Sequence, residues 1–224
     1  MKKIIYHGSK DRIEKPIFGK GKTYNDYGLG FYCTEQLEMA KEWAVSWDYD
    51  GFANQYVLDL EGLQILHLND EPYCTLHWLA LLLDNREFDV TAPLAIEAKE
   101  YLLQHFLLPI ENYDVIIGYR ADDSYFSFAQ DFISGTISYR QLQNAMHLGK
   151  LGEQIVLKSE KAFQQIQFVS SEAVLRSEWL AHKQLRDQNA RRSYFDVERN
   201  KRQRGDLYIT SILDEEMKEN DIRL

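Results

Sequence analysis

Two short stretches carry residue types suited to holding a flat, charged ligand: His7-Gly8-Ser9 and Gly28-Leu29-Gly30-Phe31-Tyr32. In the second, two glycines flank one residue and two aromatics follow at once. Glycine removes the side chain, so a backbone or a ligand can come close. The bulky pair sets a ring beside that opening, which makes a slot for a flat ring. The same five residues also read as an ordinary turn leading into a strand. His7 supplies an imidazole that can donate to or accept from a sugar hydroxyl, or that simply ends a strand at the surface. Glu153 supplies a fixed negative charge, worth far more in a dry cleft than in water. It opens a predicted strand, and side chains alternate along a strand, so Glu153 and Gln154 point opposite ways. Glu153 is the expected catalytic carboxylate, and Gln154 is the alternative.

A dense polar run, Arg120, Asp122, Asp123, Ser124 and Tyr125, follows a predicted buried strand. Loops on a rigid scaffold are where function concentrates. Arg120 suits phosphate, as do Ser9 and Lys10, while Asp122 and Asp123 equally suit a capped turn. Trp43 falls on a helical stripe with Leu37, Ala40, Ala44 and Trp47. Such stripes pack into cores, yet the face of an indole also attracts cations. His67, His77, His105, His147 and His182 lie in unrelated contexts and are expected to be structural. No phosphate-binding glycine loop, dinucleotide fingerprint or metal-ligand cluster is present.

The elements that must position these groups follow from the pattern. A short strand over 3–6 leads into His7, and residues 9–27 read as a loop. A strand over 30–33 runs into a helix, with Thr34 as its N-cap and the stripe above as its buried face. Strands are predicted over 54–60 and 62–68, helices over 76–83 and 96–106, and a buried strand over 115–119. Helices over 125–132 and 140–147 follow, the second started by Ser138 and ended by Gly149. A strand over 154–157 pairs with one over 166–169. From 171 to 204 the propensity is helical and basic, with acids mixed in, until Gly205 breaks it. That face reads first as solvated, and second as a docking surface for an acidic partner or RNA.

With 224 residues, one large domain, or one domain with a helical appendage, fits. A net charge of −9 disfavours broad nucleic-acid binding. Two cysteines, Cys33 and Cys74, have no metal spacing and suit a reduced, cytoplasmic compartment. The N-terminus lacks the apolar run of a signal peptide. The apolar run around 79–83 is about half of what a membrane span needs.

Together, His7-Gly8-Ser9, Gly28 to Tyr32, Ala40-Lys41-Glu42-Trp43 and Glu153-Gln154-Ile155-Val156-Leu157 resemble the ADP-ribosyltransferase superfamily, in the branch that uses His, Tyr and Glu and includes diphtheria toxin and the poly(ADP-ribose) polymerases. The runs 114–128 and 148–163 resemble, more closely and over most of the chain, a bacterial family of uncharacterised members of that superfamily, thought to act as toxins beside a small antitoxin. The resemblance implies an α+β fold with a split β-sheet core over 1–170, flanking helices, and a helical C-terminal extension over 171–224. It implies NAD as substrate, cofactor-binding residues His7, Gly8, Ser9, Gly30, Tyr32, Trp43 and Arg120, and catalytic residues His7, Tyr32 and Glu153. His7 would hold the adenosine ribose, the Gly8 backbone the carboxamide, and Tyr32 with Trp43 the nicotinamide ring. Trp43 stands where a Tyr is more usual, and Ala40 where many relatives place a Ser. The implied activity is ADP-ribosyl transfer to a cellular macromolecule. NAD hydrolysis, or a non-catalytic binding module, is the alternative.

Overall fold

Ile4, Ile5 and Tyr6 are β-branched and aromatic, and such residues fit a pleated, half-buried surface. They form the middle of β1 (Lys2–Ser9). The computed structural model describes residues 1–121, 123–148 and 152–224 and, of 123–125, 197 and 198, the backbone alone. β1 is joined by β2 (Phe31–Thr34), β3 (Gly51–Asp59), β4 (Ile65–His67), β5 (Val115–Tyr119), β6 (Glu153–Leu157) and β7 (Ile166–Val174). They form a mixed sheet in the order β4-β5-β6-β2-β1-β3-β7. Only β4 and β5 run parallel. The helices are α1 (Leu37–Ala44), α2 (Thr75–Asn85), α3 (Pro93–Phe106), α4 (Asp123–Ile133), α5 (Tyr139–Met146), α6 (Glu160–Gln164), α7 (Arg176–Ser193) and α8 (Ile209–Asp214). The fold class is α+β. No helix among the described residues is long and apolar enough to cross a membrane.

One joint in the sheet differs from the others. β1 and β3 stay in register from Lys2–Asp59 to Ser9–Phe52, and β2 and β6 from Phe31–Leu157 to Thr34–Gln154. β1 and β2 share a single rung, Tyr6 opposite Thr34. The sheet is therefore two halves, β4-β5-β6-β2 and β1-β3-β7, joined at that rung.

Three cores pack against the sheet, and the second bridges its two halves. In the larger core, Leu66, Ile116 and Val156 from the sheet meet Leu79, Leu102, Phe128 and Ile212 from the helices. α2 is buried from Leu76 through Leu83, as a helix apolar on all sides must be. Ile5, Phe31, Cys33, Ile155 and Leu157 form a second core with Ala162 of α6. In a third, Ala40 and Ala44 of α1 meet Ala53 and Val174, with Trp179 of α7 against them.

Several sequence expectations need correction. Thr34 does not cap α1: it is the last residue of β2, its partners are Tyr6 and Gln154, and the N-cap is Gln36. Its hydroxyl accepts from the Gln36 amide at 3.2 Å instead. α1 ends at Ala44, so Trp47 leaves the predicted stripe and is 68% exposed. β6 does not pair with β7, because β5 and β2 occupy both of its edges. β7 adds instead to the free edge of β3 and runs through Ser170 to Val174. The chain beyond 170 thus begins as sheet, and its Tyr194, Ile209, Ile212 and Met217 are buried in the larger core. Gly149, the predicted helix end, lies outside the described residues.

α1 rests directly on β1. A Cβ on Gly8 would stand 1.9 Å from the Ala40 carbonyl oxygen and 2.8 Å from the Ala44 nitrogen, both helix backbone. Gly8→Ala should therefore push α1 off the sheet and cost roughly 1–3 kcal/mol, the usual penalty of overpacking. Urea unfolding of the variant checks this: an unchanged midpoint would show that α1 does not need that contact.

Candidate functional site

Beyond the Tyr6–Thr34 rung, the imidazole of His7 stands where ladder bonding would continue. Its Nδ1 lies 2.7 Å from the Tyr32 carbonyl oxygen. A carbonyl can only accept, so Nδ1 carries the proton and Nε2 is left as an acceptor. The ring is tilted against Phe31, centroids 4.2 Å apart. Burial lowers the His7 pKa to about 4, against a smaller lift from the bond to Tyr32. The group is neutral at ordinary pH.

A cavity of about 460 Å³ opens here, a size typical of small-molecule sites. Its lining comes from distant segments: His7 and Gly8, then Gly30 to Tyr32, then Trp43, Arg120 and Gln154. The loop over 10–30 adds a further wall with Ile13, Lys15, Lys20, Asn25 and Asp26. The Tyr32 hydroxyl accepts from the Tyr27 amide at 3.1 Å and donates to the Gly28 carbonyl at 2.6 Å. That bonding fixes the ring and leaves no proton to give away. Trp43 already holds a cation, the Arg120 guanidinium 4.7 Å from its ring centroid. Trp43 Nε1 is a buried donor with no acceptor among the described residues.

Behind Tyr32 lies a polar knot anchored on Asp26, which is 5% exposed. Its Oδ1 accepts from Arg86 at 2.8 Å; its Oδ2 accepts from the Ala121 amide and from Gln154 Nε2, each at 2.9 Å. Burial pushes the Asp26 carboxyl up, against the opposing pull of those donors. Gln154 Nε2 also donates to the Tyr119 carbonyl at 3.2 Å. With its nitrogen so committed, the amide orientation is set and its oxygen is the atom left for other partners. Lys158 Nζ donates to the Tyr27 and Leu29 carbonyls at 2.5 and 2.6 Å, tying down the turn that carries Tyr32. At the loop's other end, buried Asn54 donates to the His7 carbonyl at 3.2 Å and to Ser9 Oγ at 3.0 Å, and accepts from the Ile13 amide at 3.1 Å.

Among the predicted site residues, His7, Gly8, Gly30, Tyr32, Trp43, Arg120 and Gln154 share this cavity. Glu153 does not: it faces away with Asn69 Nδ2 at 2.6 Å and His67 Nε2 at 3.6 Å. The expected preference for Glu153 over Gln154 is thus reversed by the register of β6, which sets Gln154 opposite Thr34 and Gly118. Ser9 is also turned away, donating to the Asp11 carbonyl at 2.7 Å. Gly30 faces the cavity, but the space where its Cβ would lie is filled by Val156 Cγ1 at 2.6 Å. The glycines admit neighbouring backbone and side chains, not only a ligand. Asp122 and the side chains of Asp123, Ser124 and Tyr125 lie outside what the structure describes. Asp26, Arg86, Asn54 and Lys158 were not singled out in the sequence. Each is a lone polar residue whose partners are remote in the chain, so no local pattern marks it. Among the described residues, no group of three or more His, Cys, Asp or Glu side chains could hold a metal ion.

A family model described as "Protein of unknown function (DUF3990)" matches residues 3–168. The chain belongs to that family. The matched segment holds every residue lining the cavity and runs from β1 into β7. No curated protein and no solved structure gives a significant match.

The depressed His7 pKa has a pH consequence. An unfolded imidazole gains its proton near pH 6.5 and the folded one only near 4. Across that window the unfolded state binds more protons, so the stability His7 contributes above pH 6.5 is lost as pH falls toward 4. NMR titration should place the His7 midpoint well below 6. The loss of stability between pH 7 and pH 5 should shrink in His7→Gln. A midpoint near 6.5 would mean that the ring is solvated.

Proposed function

We propose that the cleft between the two half-sheets binds NAD and that the protein is an NAD-dependent ADP-ribosyltransferase with an ADP-ribosyltransferase-like core. The observation that carries this reading is the convergence of His7, Tyr32, Trp43 and Gln154, from four separate segments, on one cavity. The chemistry of the lining supports it. Neutral His7 presents Nε2 as an acceptor for a ribose hydroxyl. The Tyr32 and Trp43 rings suit a flat pyridinium, because ring faces attract positive charge, and Trp43 already does so with Arg120. Gln154, not Glu153, is the third anchor, with its amide oxygen offered to a sugar hydroxyl. As the glycosidic bond breaks, nicotinamide leaves with the bonding electrons; a nucleophile takes the sugar carbon and gives up its proton.

A specific observation favours a second reading. The third anchor is a neutral amide, which stabilises a cationic sugar less than a carboxylate does. On that account turnover is slow, with water as an acceptor, or the cleft only binds. As a further part of the proposal, the protein is a toxin restrained by a small protein antitoxin; the support for that is the sequence resemblance alone.

Purified protein incubated with labelled NAD and a cell lysate should release nicotinamide and label a macromolecule. Gln154→Ala should lower that activity on the order of 10²-fold, as loss of one electrostatic contact does elsewhere. Tyr32→Ala should abolish NAD binding, while Glu153→Ala should bind NAD like the parent. Free ADP-ribose without any target would identify a hydrolase. No NAD binding by the folded protein would end the reading.

A further inference from the structure

Arg86 borders the cleft and two further cavities that adjoin it. One, of about 510 Å³, shares Arg86, Arg120 and Ala121 with the cleft; α7 supplies Lys183 and Arg186 to its wall, and Trp47 borders it too. The other, of about 610 Å³, joins Arg86 to Tyr24, Glu87 and Phe126. Four cations thus border connected space. Asp26 holds Arg86 at 2.8 Å, and Glu42 holds Arg186 at 2.6 Å. Backing of that kind orients a guanidinium, and an oriented guanidinium suits phosphate. Asp187, the acid on the α7 wall, is paired with Arg191 at 2.9 Å. Two rings stand out beside the cations. Trp47 and Tyr24 each border a cavity, yet are 68% and 60% exposed. Charge is also segregated along the chain. Residues 176–204 hold nine Lys or Arg against four Asp or Glu, in a protein of net charge −9. A locally positive segment in an acidic protein favours an anion that enters a groove over one that lies across the whole surface.

We propose that the two outer cavities form a groove for single-stranded nucleic acid that passes the mouth of the cleft. Arg86, Arg120, Lys183 and Arg186 meet phosphates, and Trp47 and Tyr24 stack on bases. Cations that follow the backbone, with rings under the bases, hold a single strand without reading its sequence. A duplex hides its base faces and sets a second backbone against the acidic remainder of the protein. An acidic peptide would use the cations and leave the exposed rings idle. Because Arg86 and Arg120 belong to both groove and cleft, the bound strand is the acceptor placed for ADP-ribose. A base nitrogen bonds to the sugar carbon as nicotinamide leaves with the bonding electrons, and the nitrogen's proton passes to water. The acceptor role rests on the NAD reading above; the binding of the strand does not.

Binding is measured without NAD, by fluorescence anisotropy of end-labelled RNA and DNA strands of about 12 nucleotides. A hairpin duplex and poly-glutamate serve as competitors, and salt runs from about 50 to 200 mM. The parent should bind a single strand, with log K falling against log salt at a slope of roughly −3, as four phosphate contacts require. The stronger of the RNA and DNA arms identifies the kind of strand. Lys183→Glu should weaken binding at least about tenfold, and Trp47→Ala about fivefold or more. Arg204→Glu makes the same charge change at an exposed position that borders none of these cavities, and should leave binding within about twofold. The groove is overturned if the folded parent binds no single strand, or if duplex or poly-glutamate competes equally well. It is equally overturned if Arg204→Glu weakens binding as much as Lys183→Glu, or if folded Trp47→Ala binds like the parent. Labelled NAD is then added, and the label should pass to the strand. A bound strand left unlabelled while nicotinamide is released overturns the acceptor role. A strand bound by a protein that takes up no NAD supports the groove and ends the reading of the cleft.

Discussion

One hydrogen bond organises this molecule: the His7 imidazole donating to the Tyr32 carbonyl across the gap between β1 and β2. A sheet that stayed in register past Tyr6 and Thr34 would close that gap with backbone bonds. Here a side chain takes the place of a rung. The two strands stay associated but apart, and a cavity exists where a continuous sheet would have none. The same bond fixes the tautomer of His7, and burial keeps the ring neutral. Architecture and chemistry are set by one contact.

The cavity also needs a floor, and Asp26 supplies it. A buried carboxylate is costly unless donors surround it. Arg86 from the end of α2, Ala121 after β5, and Gln154 on β6 provide them. Three elements of the larger half are thereby tied to a loop that would otherwise lie loose on the surface. The orientation of the Gln154 amide depends on Asp26, so which of its atoms faces the cavity is not set by β6 alone. A carboxylate at 154 would stand beside a second buried carboxylate and repel it. That repulsion gives a physical reason why a neutral amide occupies the position.

Much of the frame was legible in the sequence. The largely apolar run before residue 84 reads as a buried helix, Ser138 caps α5 by accepting from the Gln141 amide, and β5 is buried on both faces. Local pattern is enough for such elements. What it cannot supply is pairing: β7 went to the edge of β3 because no free edge remained on β6. Nor can it supply facing. Glu153 and Gln154 are equally compatible with the start of a strand, and only the register against β2 and β5 decides between them. Thr34 fails as a cap for a related reason, since its β-branched side chain is worth more in the sheet, between two partner strands. The site was half visible. His7, Tyr32 and Trp43 stand out by type, while Asp26 and Asn54 gain meaning only from partners dozens of residues away.

Asn54 and Lys158 hold the two ends of the segment over 10–30, and between those ends it forms no helix or strand. A strap secured at both buckles can bow but cannot swing free. Any closure of this wall over a guest therefore starts from a chain whose two ends are already fixed, and little further conformational entropy is lost in holding them. Selectivity at the entrance then depends on the middle of the strap, where Lys15, Pro16, Ile17 and Lys20 border the opening.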